Sequence, residues 1–111
     1  MGKLTTHVLD TAQGRPAANL EVRLFKFETD WVLLKTIRTN ADGRADAPLL
    51  EGDRLRVGMY KLEFEVGAYF ALLEPRFLEV VPVQFGISTA GAHYHVPLLV
   101  SPYGYSTYRG S

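Results

Sequence analysis

Alternating apolar and polar residues run through most of the chain and predict an antiparallel β protein. The clearest run is residues 59–66, in which lysine and glutamate alternate with Tyr60, Leu62, Phe64 and Val66. Such a period of two buries one face of a strand and leaves the other in water. Short clusters of Gly, Pro, Asn and Asp separate the runs at close spacing, which is typical of turns between short strands.

The same pattern predicts further strands at 8–9, 20–27, 31–38, 81–87, 93–100 and 103–109. Within 20–27 the apolar phase shifts at Phe25, which indicates a β-bulge or a strand covered on both faces. Residues 68–74 have helical spacing and stop at Pro75, so they predict one short helix. Asp42-Gly43 favours a tight turn. Seven or eight strands with a single helix predict a two-sheet β-sandwich.

Composition limits the function classes. The chain of 111 residues fits a single domain, residues 1–111. Twelve Lys and Arg balance twelve Asp and Glu, so the net charge is zero, which argues against nucleic-acid and anionic-membrane partners and does not oppose self-association. The chain has no cysteine, so disulfides, thiolate nucleophiles and sulfur-ligated metals are excluded.

The sequence also predicts where the protein resides. The longest uninterrupted apolar run, residues 68–73, is far short of the roughly 20 residues that span a bilayer. No apolar signal core with a cleavage site is evident at the start. We therefore expect a cytoplasmic protein, or a periplasmic one if a leader has been removed.

Histidines are the main candidates for chemistry. In strand 93–100 one face is apolar, whereas the opposite face carries His93, His95, Pro97 and Leu99. His7 similarly shares a face with Leu9, opposite Val8. Mixed faces of this kind are typical of a partner surface or a cleft. Each histidine taken singly is more often structural, and three imidazoles could also bind zinc, although nearby carboxylates that would support the ligands are missing from the sequence.

Other motifs are absent or ambiguous. Arg44 follows a turn glycine and could be simply a solvated turn residue. The chain contains no Gly-x-Ser-x-Gly nucleophile elbow and no phosphate-binding glycine loop. From the residues alone, the prediction is a β-sandwich that self-associates and carries a polar cleft.

Four motifs together resemble the 5-hydroxyisourate hydrolases, the transthyretin-like proteins of purine breakdown. They lie at residues 6–11, 39–44, 93–99 and 101–111, and the closing Tyr-Arg-Gly-Ser is the most specific. Transthyretin itself shares the fold but lacks the histidine pattern, the arginine after Asp-Gly and that ending. The sequence departs from the usual pattern at loop 89–92 and at 76–78, away from the expected site residues.

The resemblance implies a prealbumin-like, all-β sandwich of about eight strands and one short helix, assembled as a homotetramer with its sites between dimers. It implies metal-free hydrolysis of 5-hydroxyisourate to 2-oxo-4-hydroxy-4-carboxy-5-ureidoimidazoline in urate catabolism, with no cofactor. By position His7, Arg44 and His95 would be catalytic, with either histidine as the base. The substrate would be bound by Tyr108, Arg109, Gly110 and Ser111. Two alternatives are a transthyretin-type carrier of aromatic ligands and a purely structural sandwich.

Overall fold

The computed structural model describes residues 1–71 and 77–110, and within these ranges the chain forms nine strands, one α-helix and one 3-10 turn. The strands are β1 Lys3–Asp10, β2 Arg15–Pro16, β3 Glu21–Phe27, β4 Trp31–Arg38, β5 Leu50–Glu51, β6 Gly58–Phe64, β7 Val81–Ile87, β8 His93–Val100 and β9 Tyr105–Thr107. The helix α1 is Val66–Tyr69 and the 3-10 turn is Gly52–Arg54.

The strands form two sheets, so the predicted sandwich is confirmed. One sheet has the order β4-β3-β6-β7 and is antiparallel throughout. The other has the order β2-β1-β8-β9, with β5 also pairing with β1. In this second sheet β1 and β8 are parallel, from the pair Lys3–His93 to the pair Asp10–Val100. Strands from opposite ends of the chain therefore lie side by side.

The core fills the space between the sheets. From β1 and β8 it takes alternate residues, all buried: Leu4, Val8, Tyr94, Val96, Leu98 and Val100. The facing sheet contributes Val22, Leu24, Tyr60, Leu62 and Phe64. The apolar face predicted for strand 93–100 is thus confirmed, and the opposite face, with its histidines, points away from the core.

A β-bulge lies where the phase shift predicted one, but its extra residue belongs to β4. Lys35 pairs with Leu24 and Leu33 with Phe25, so Leu34 is the extra residue. β3 keeps a regular register with β6, and Phe25 lies on the outer face by ordinary alternation after the buried Leu24. There the ammonium of Lys61 lies 5.0 Å from the Phe25 ring centroid and 4.5 Å from that of Trp31. This cation–π contact covers aromatic rings on the outer face of the sheet.

The helix starts earlier than predicted. It spans Val66–Tyr69 instead of beginning at residue 68, and β6 ends at Phe64, because the carbonyls of Glu65 and Val66 accept the helical hydrogen bonds from the N–H groups of Tyr69 and Phe70. The predicted positions 72–74 lie outside the described residues. Within the described ranges, no helix has the length and apolar character needed to cross a bilayer.

The terminal strands also differ in length from the prediction. β1 covers Lys3–Asp10, well beyond the predicted residues 8–9, because its full length pairs with β8. β9 is limited to Tyr105–Thr107 because a turn, closed by the Ser101 N–H donating to the Gly104 carbonyl at 2.9 Å, precedes it.

Candidate active site

The outer face of β1 and β8 carries the candidate site. The parallel register places Thr5 directly beside His95, and His7 beside Pro97. Their side chains share one sheet face because paired residues in a ladder project to the same side. Thr5, His7 and His95 are half-buried, so both imidazoles remain accessible from outside the sandwich.

The turn after β4 brings Arg44 to this face. The Asn40 side-chain carbonyl accepts the backbone N–H groups of Asp42 and Arg44 at 2.9 and 3.1 Å. The Asn40 N–H donates to the Arg44 carbonyl at 2.8 Å. Arg44 then forms an antiparallel bridge with His7. The Asn-x-Asp-Gly-Arg segment is therefore a closed turn whose last residue lies beside the first histidine.

Gly43 anchors that turn to β1. Its carbonyl accepts the Val8 N–H at 2.8 Å, and its φ is +76°. A Cβ atom at Gly43 would collide with the Val8 carbonyl oxygen. Only glycine allows this close approach of two backbones, so the predicted tight turn is confirmed, and it sets the position of Arg44.

The His95 ring is held from two sides. Thr5 Oγ1 lies 2.8 Å from Nδ1. On the other side, the Gly110 N–H donates to the His95 carbonyl at 2.7 Å, and a Cβ atom at Gly110 would lie only 2.5 Å from Cδ2. Because Nδ1 and Cδ2 are both attached to Cγ, these contacts leave Nε2 and Cε1 at the open end of the ring.

Electrostatics favour a neutral His95. Burial is the main cause that lowers its pKa, and the electrostatic interactions with Arg44 and then His7 lower it further. The ordinary imidazole pKa is 6.5, so His95 is uncharged at neutral pH. These interactions also show that the two histidines and the arginine lie within one electrostatic cluster. A cleft of about 220 Å³, lined by Thr5, Arg44 and Lys3 among others, adjoins this cluster.

The C-terminal segment packs across β8 through Arg109. Its Nη2 donates to the His93 carbonyl at 2.9 Å, and its Cζ lies 4.3 Å from the Tyr94 ring centroid. The guanidinium is thus used for hydrogen bonding and cation–π stacking within the chain. The Thr107 hydroxyl donates to the Pro97 carbonyl at 2.8 Å. These contacts hold the segment that carries Gly110.

Tyr94 supports the C-terminal segment from the core side of β8. Its hydroxyl accepts the N–H groups of Ser88 and Thr89, each at 3.1 Å. Hydrogen bonding from the Ser88 side chain is the main cause that lowers the Tyr94 pKa to about 8; the Thr89 N–H lowers it further, and Arg109 adds to this. Tyr94 therefore links the turn after β7 to the C-terminal segment.

The structure brings together His7, Arg44, His95 and Gly110 of the residues predicted for the site. Tyr108 is 60% exposed and, with Arg109, lines a separate cleft of about 310 Å³ between β7 and β9. Ser111 lies outside the described residues. His93 is exposed, and residues 1–71 and 77–110 contain no group of three His, Cys, Asp or Glu that could hold a metal ion.

Sequence reasoning missed two residues of the site. Asn40 closes the turn, and its signal was present in the Asn-x-Asp-Gly-Arg motif, since asparagine side chains commonly accept backbone N–H groups in turns. Thr5 gave no comparable signal. Its contact with His95 depends on the parallel pairing of strands 90 residues apart, which periodicity does not reveal.

The cluster has the groups required for hydrolysis of an amide. A neutral imidazole can accept a proton from water or donate one through N–H. The Arg44 guanidinium forms none of the ion pairs within residues 1–71 and 77–110. It is therefore available to bind an oxygen-rich, negatively charged group.

A β-sandwich of this strand order, with two histidines and an arginine on one outer sheet face, is a transthyretin-like protein. The chain belongs to the HIUase/Transthyretin family, whose model matches residues 4–110. It is 57% identical to a 5-hydroxyisourate hydrolase of Ralstonia nicotianae over 117 aligned residues that cover 100% of both chains.

Two solved structures from this family also resemble the chain over nearly its whole length. The 5-hydroxyisourate hydrolase of Klebsiella pneumoniae matches with a TM-score of 0.85 and 38% identity, covering 100% of both chains. Sea bream transthyretin in complex with thyroxine matches with a TM-score of 0.90 and 28% identity, covering 97% of this chain and 94% of that one.

Proposed function

We propose that the protein hydrolyses 5-hydroxyisourate to 2-oxo-4-hydroxy-4-carboxy-5-ureidoimidazoline. The observation that carries this proposal is the convergence of His7, Arg44 and His95 on one sheet face, through the parallel β1–β8 pair and the Arg44 bridge. The Ralstonia and Klebsiella relatives that bear the name of this hydrolase support the choice of substrate.

The reaction opens the six-membered ring at a lactam carbonyl. A water oxygen bonds to the carbonyl carbon, and one histidine takes the proton that this water loses. Arg44 binds the carbonyl-derived oxygen as it gains negative charge. The carbon–nitrogen bond then breaks, and the ring nitrogen leaves with a proton from a histidine. His7 and His95 divide the two proton-transfer roles.

The C-terminal segment forms part of the substrate site in this proposal. Gly110 contacts the His95 ring and hydrogen bonds to its backbone. Tyr108, Arg109 and Ser111 are the other residues of the proposed substrate-binding segment, and Arg109 holds this segment on Tyr94.

We propose further that the active form is a homotetramer with its sites between dimers. In the single chain the outer face of β1 and β8 presents half-buried Leu9 and Leu99 beside the histidines. Apolar residues next to catalytic groups favour a covered surface. Among the described residues, β7 and β9 each pair with one strand only, so both edges are free to pair with another copy.

Freshly generated 5-hydroxyisourate provides the test, because its disappearance can be followed by ultraviolet absorbance. We expect the protein to accelerate the decay, and His95→Ala and Arg44→Ala each to lower kcat/KM by on the order of 10²-fold. The matched controls are His93→Ala, an exposed histidine on the same strand, and Arg54→Ala, an exposed arginine of the 3-10 turn. Both should retain activity.

Decay at the uncatalysed rate would refute the hydrolase assignment. It would then favour the carrier alternative, as in the transthyretin bound to thyroxine, and binding of an aromatic ligand without turnover would support that alternative.

The cytoplasmic location of the protein stays a prediction. Fractionation of the source cells checks it, and recovery of the protein in the periplasmic fraction would contradict it.

A further inference from the structure

Thr5 is the residue in the described ranges whose side chain hydrogen bonds to a ring nitrogen of a site histidine. Its Oγ1 lies 2.8 Å from Nδ1 of His95, a short distance for such a bond. Both residues are half-buried, and the parallel register holds them side by side. Thr5 therefore contacts the inner nitrogen of His95 directly.

Two other threonine hydroxyls near the site act as hydrogen-bond donors. The Thr6 hydroxyl donates to the Val96 carbonyl at 2.7 Å, and the Thr107 hydroxyl donates to the Pro97 carbonyl at 2.8 Å. Each of these hydroxyl hydrogens has a defined acceptor. Within residues 1–71 and 77–110, the acceptor near Thr5 Oγ1 is Nδ1 of His95. If Nδ1 carried a proton instead, the Thr5 hydroxyl hydrogen would have no acceptor there.

The His95 ring is held in one orientation, so a hydrogen bond to Nδ1 determines which nitrogen faces the open end of the ring with a proton. Gly110 packs against Cδ2 and bonds to the His95 carbonyl, which opposes a flip of the ring. A neutral imidazole carries one N–H only, so a nitrogen that accepts a hydrogen bond leaves the proton on the other. The proton is then on Nε2, at the open end of the ring.

We propose that Thr5 is a positioning residue that donates to Nδ1 of His95 and keeps the neutral ring as the Nε2–H tautomer. His95 then presents a hydrogen-bond donor to substrate, and His7 is the histidine that takes the proton from water. The role in catalysis rests on the proposed hydrolase function. Burial and the charge of Arg44, which lower the pKa of His95, keep the ring neutral as this role requires.

Three variants test the proposal. Thr5→Val removes the hydroxyl at nearly constant shape, Thr5→Ser retains it, and Thr6→Val is the matched control because its hydroxyl binds a backbone carbonyl and no ring. Nitrogen-15 NMR of histidine-labelled protein, at a pH where the rings are neutral, reports which nitrogen carries the proton. Loss of signals in His95→Gln assigns the ring.

We expect His95 to carry its proton on Nε2 in the wild type, in Thr5→Ser and in Thr6→Val, and to become a mixture of tautomers in Thr5→Val. A proton on Nδ1 in the wild type would overturn the proposal, and so would an unchanged tautomer in Thr5→Val. This readout needs no substrate, so it does not depend on whether 5-hydroxyisourate is hydrolysed.

Kinetics test the catalytic consequence. Thr5→Val should lower kcat roughly 10-fold or more with little change in KM, and Thr5→Ser should restore most of it. A changed tautomer with unchanged kcat would overturn the role of Thr5 in the reaction. Absence of turnover in the wild type would instead refute the hydrolase function and leave the NMR result on the tautomer standing.

Discussion

Gly110 shows how a single backbone position controls the side chain of His95, a proposed catalytic residue. Its N–H bonds to the His95 carbonyl, and its missing side chain leaves space for the imidazole. Thr5 contacts Nδ1 of the ring and Gly110 lies against Cδ2. The opposite end of the ring, with Nε2 and Cε1, is therefore the accessible one. Any larger residue at position 110 must displace either the ring or the C-terminal segment.

We predict that Gly110→Ala lowers kcat/KM by at least about 10-fold, because the new methyl group would lie 2.5 Å from Cδ2 of His95 and shift a catalytic group by a fraction of an ångström. Steady-state kinetics of 5-hydroxyisourate hydrolysis measure kcat/KM of the variant and the wild type. Gly104→Ala is the control in the same segment, since its added methyl meets nothing within 4 Å. Equal activity of the two variants would contradict the packing of Gly110 on His95.

The lowered pKa of His95 has a consequence for stability. In the unfolded chain His95 takes up a proton near pH 6.5, whereas the folded protein resists it because of burial, Arg44 and His7. As the pH falls below about 6.5, the unfolded state binds more protons, and the free energy of unfolding decreases until the folded-state pKa is passed.

Urea unfolding of the wild type and of His95→Gln, from about pH 8 to about pH 5, checks this expectation. The wild type should lose more stability on acidification than His95→Gln, which lacks the titrating group. An identical pH dependence would show that His95 titrates alike in both states.

At the scale of elements, the turn between β4 and β5 positions Arg44 of the candidate site. Gly43 brings the turn against Val8 of β1, and Asn40 closes it. Arg44 is exposed, and its location is set by backbone hydrogen bonds on either side of it. The position of this arginine is therefore a property of the turn.

Gly43→Ala should both destabilise the protein by more than about 1 kcal/mol and lower kcat/KM. The new Cβ would force the turn away from the Val8 carbonyl and carry Arg44 with it. Gly14→Ala is the matched control, because Gly14 also has a positive φ, +69°, but nothing lies within 4 Å of its Cβ position.

Chemical denaturation and the hydrolysis assay together separate the two effects. Gly14→Ala should show the backbone strain alone, with kcat/KM unchanged. If Gly43→Ala lost stability but kept full activity, Arg44 would not depend on this turn for its position.

Elements with a strong local pattern were predictable from the sequence. The alternation in 93–100 reflects which side chains the core accepts, and it was confirmed. The phase shift at Phe25 correctly marked a bulge, but it did not reveal that the extra residue lies in β4. The predicted boundary between β6 and α1 was wrong because Val66 continues the apolar alternation, whereas its carbonyl already accepts a helical hydrogen bond from the Phe70 N–H. An alternating apolar residue does not reveal that the backbone has turned into a helix.

Only the residues of the candidate site that belong to a recognisable sequence motif could be predicted. His7, Arg44 and His95 stand out by residue type and spacing, and the resemblance to a known family assigns them a role that stays a prediction. Thr5 could not be identified, because any residue on the outer face of β1 could lie beside His95 until the strand register is known. Register between distant strands is a property of the whole fold.

At the scale of the whole molecule, zero net charge and a partly apolar outer sheet face favour assembly. Leu9 and Leu99 are half-buried next to the histidines in the single chain. A second copy that covers this face would exclude water from the site and strengthen the interactions of Arg44 with a negatively charged substrate.

We predict that Leu99→Asp dissociates the proposed tetramer and reduces activity, because an unpaired carboxylate is costly to bury in an interface. Sedimentation velocity measures the mass, and circular dichroism checks that the chain remains folded. Leu33→Asp on β4, where the leucine is 52% exposed on the other sheet, should leave the mass unchanged. Dissociation by Leu33→Asp alone would place the interface on the other sheet.

The parallel pairing of β1 with β8 also affects how the protein folds. Thr5 and His95 are 90 residues apart in sequence, so during synthesis β1 leaves the ribosome long before β8, the strand with which it pairs. Contacts of such long sequence separation slow folding because loop closure must come before them. The candidate site is therefore among the last parts of the nascent protein to form, and truncated chains cannot hold it.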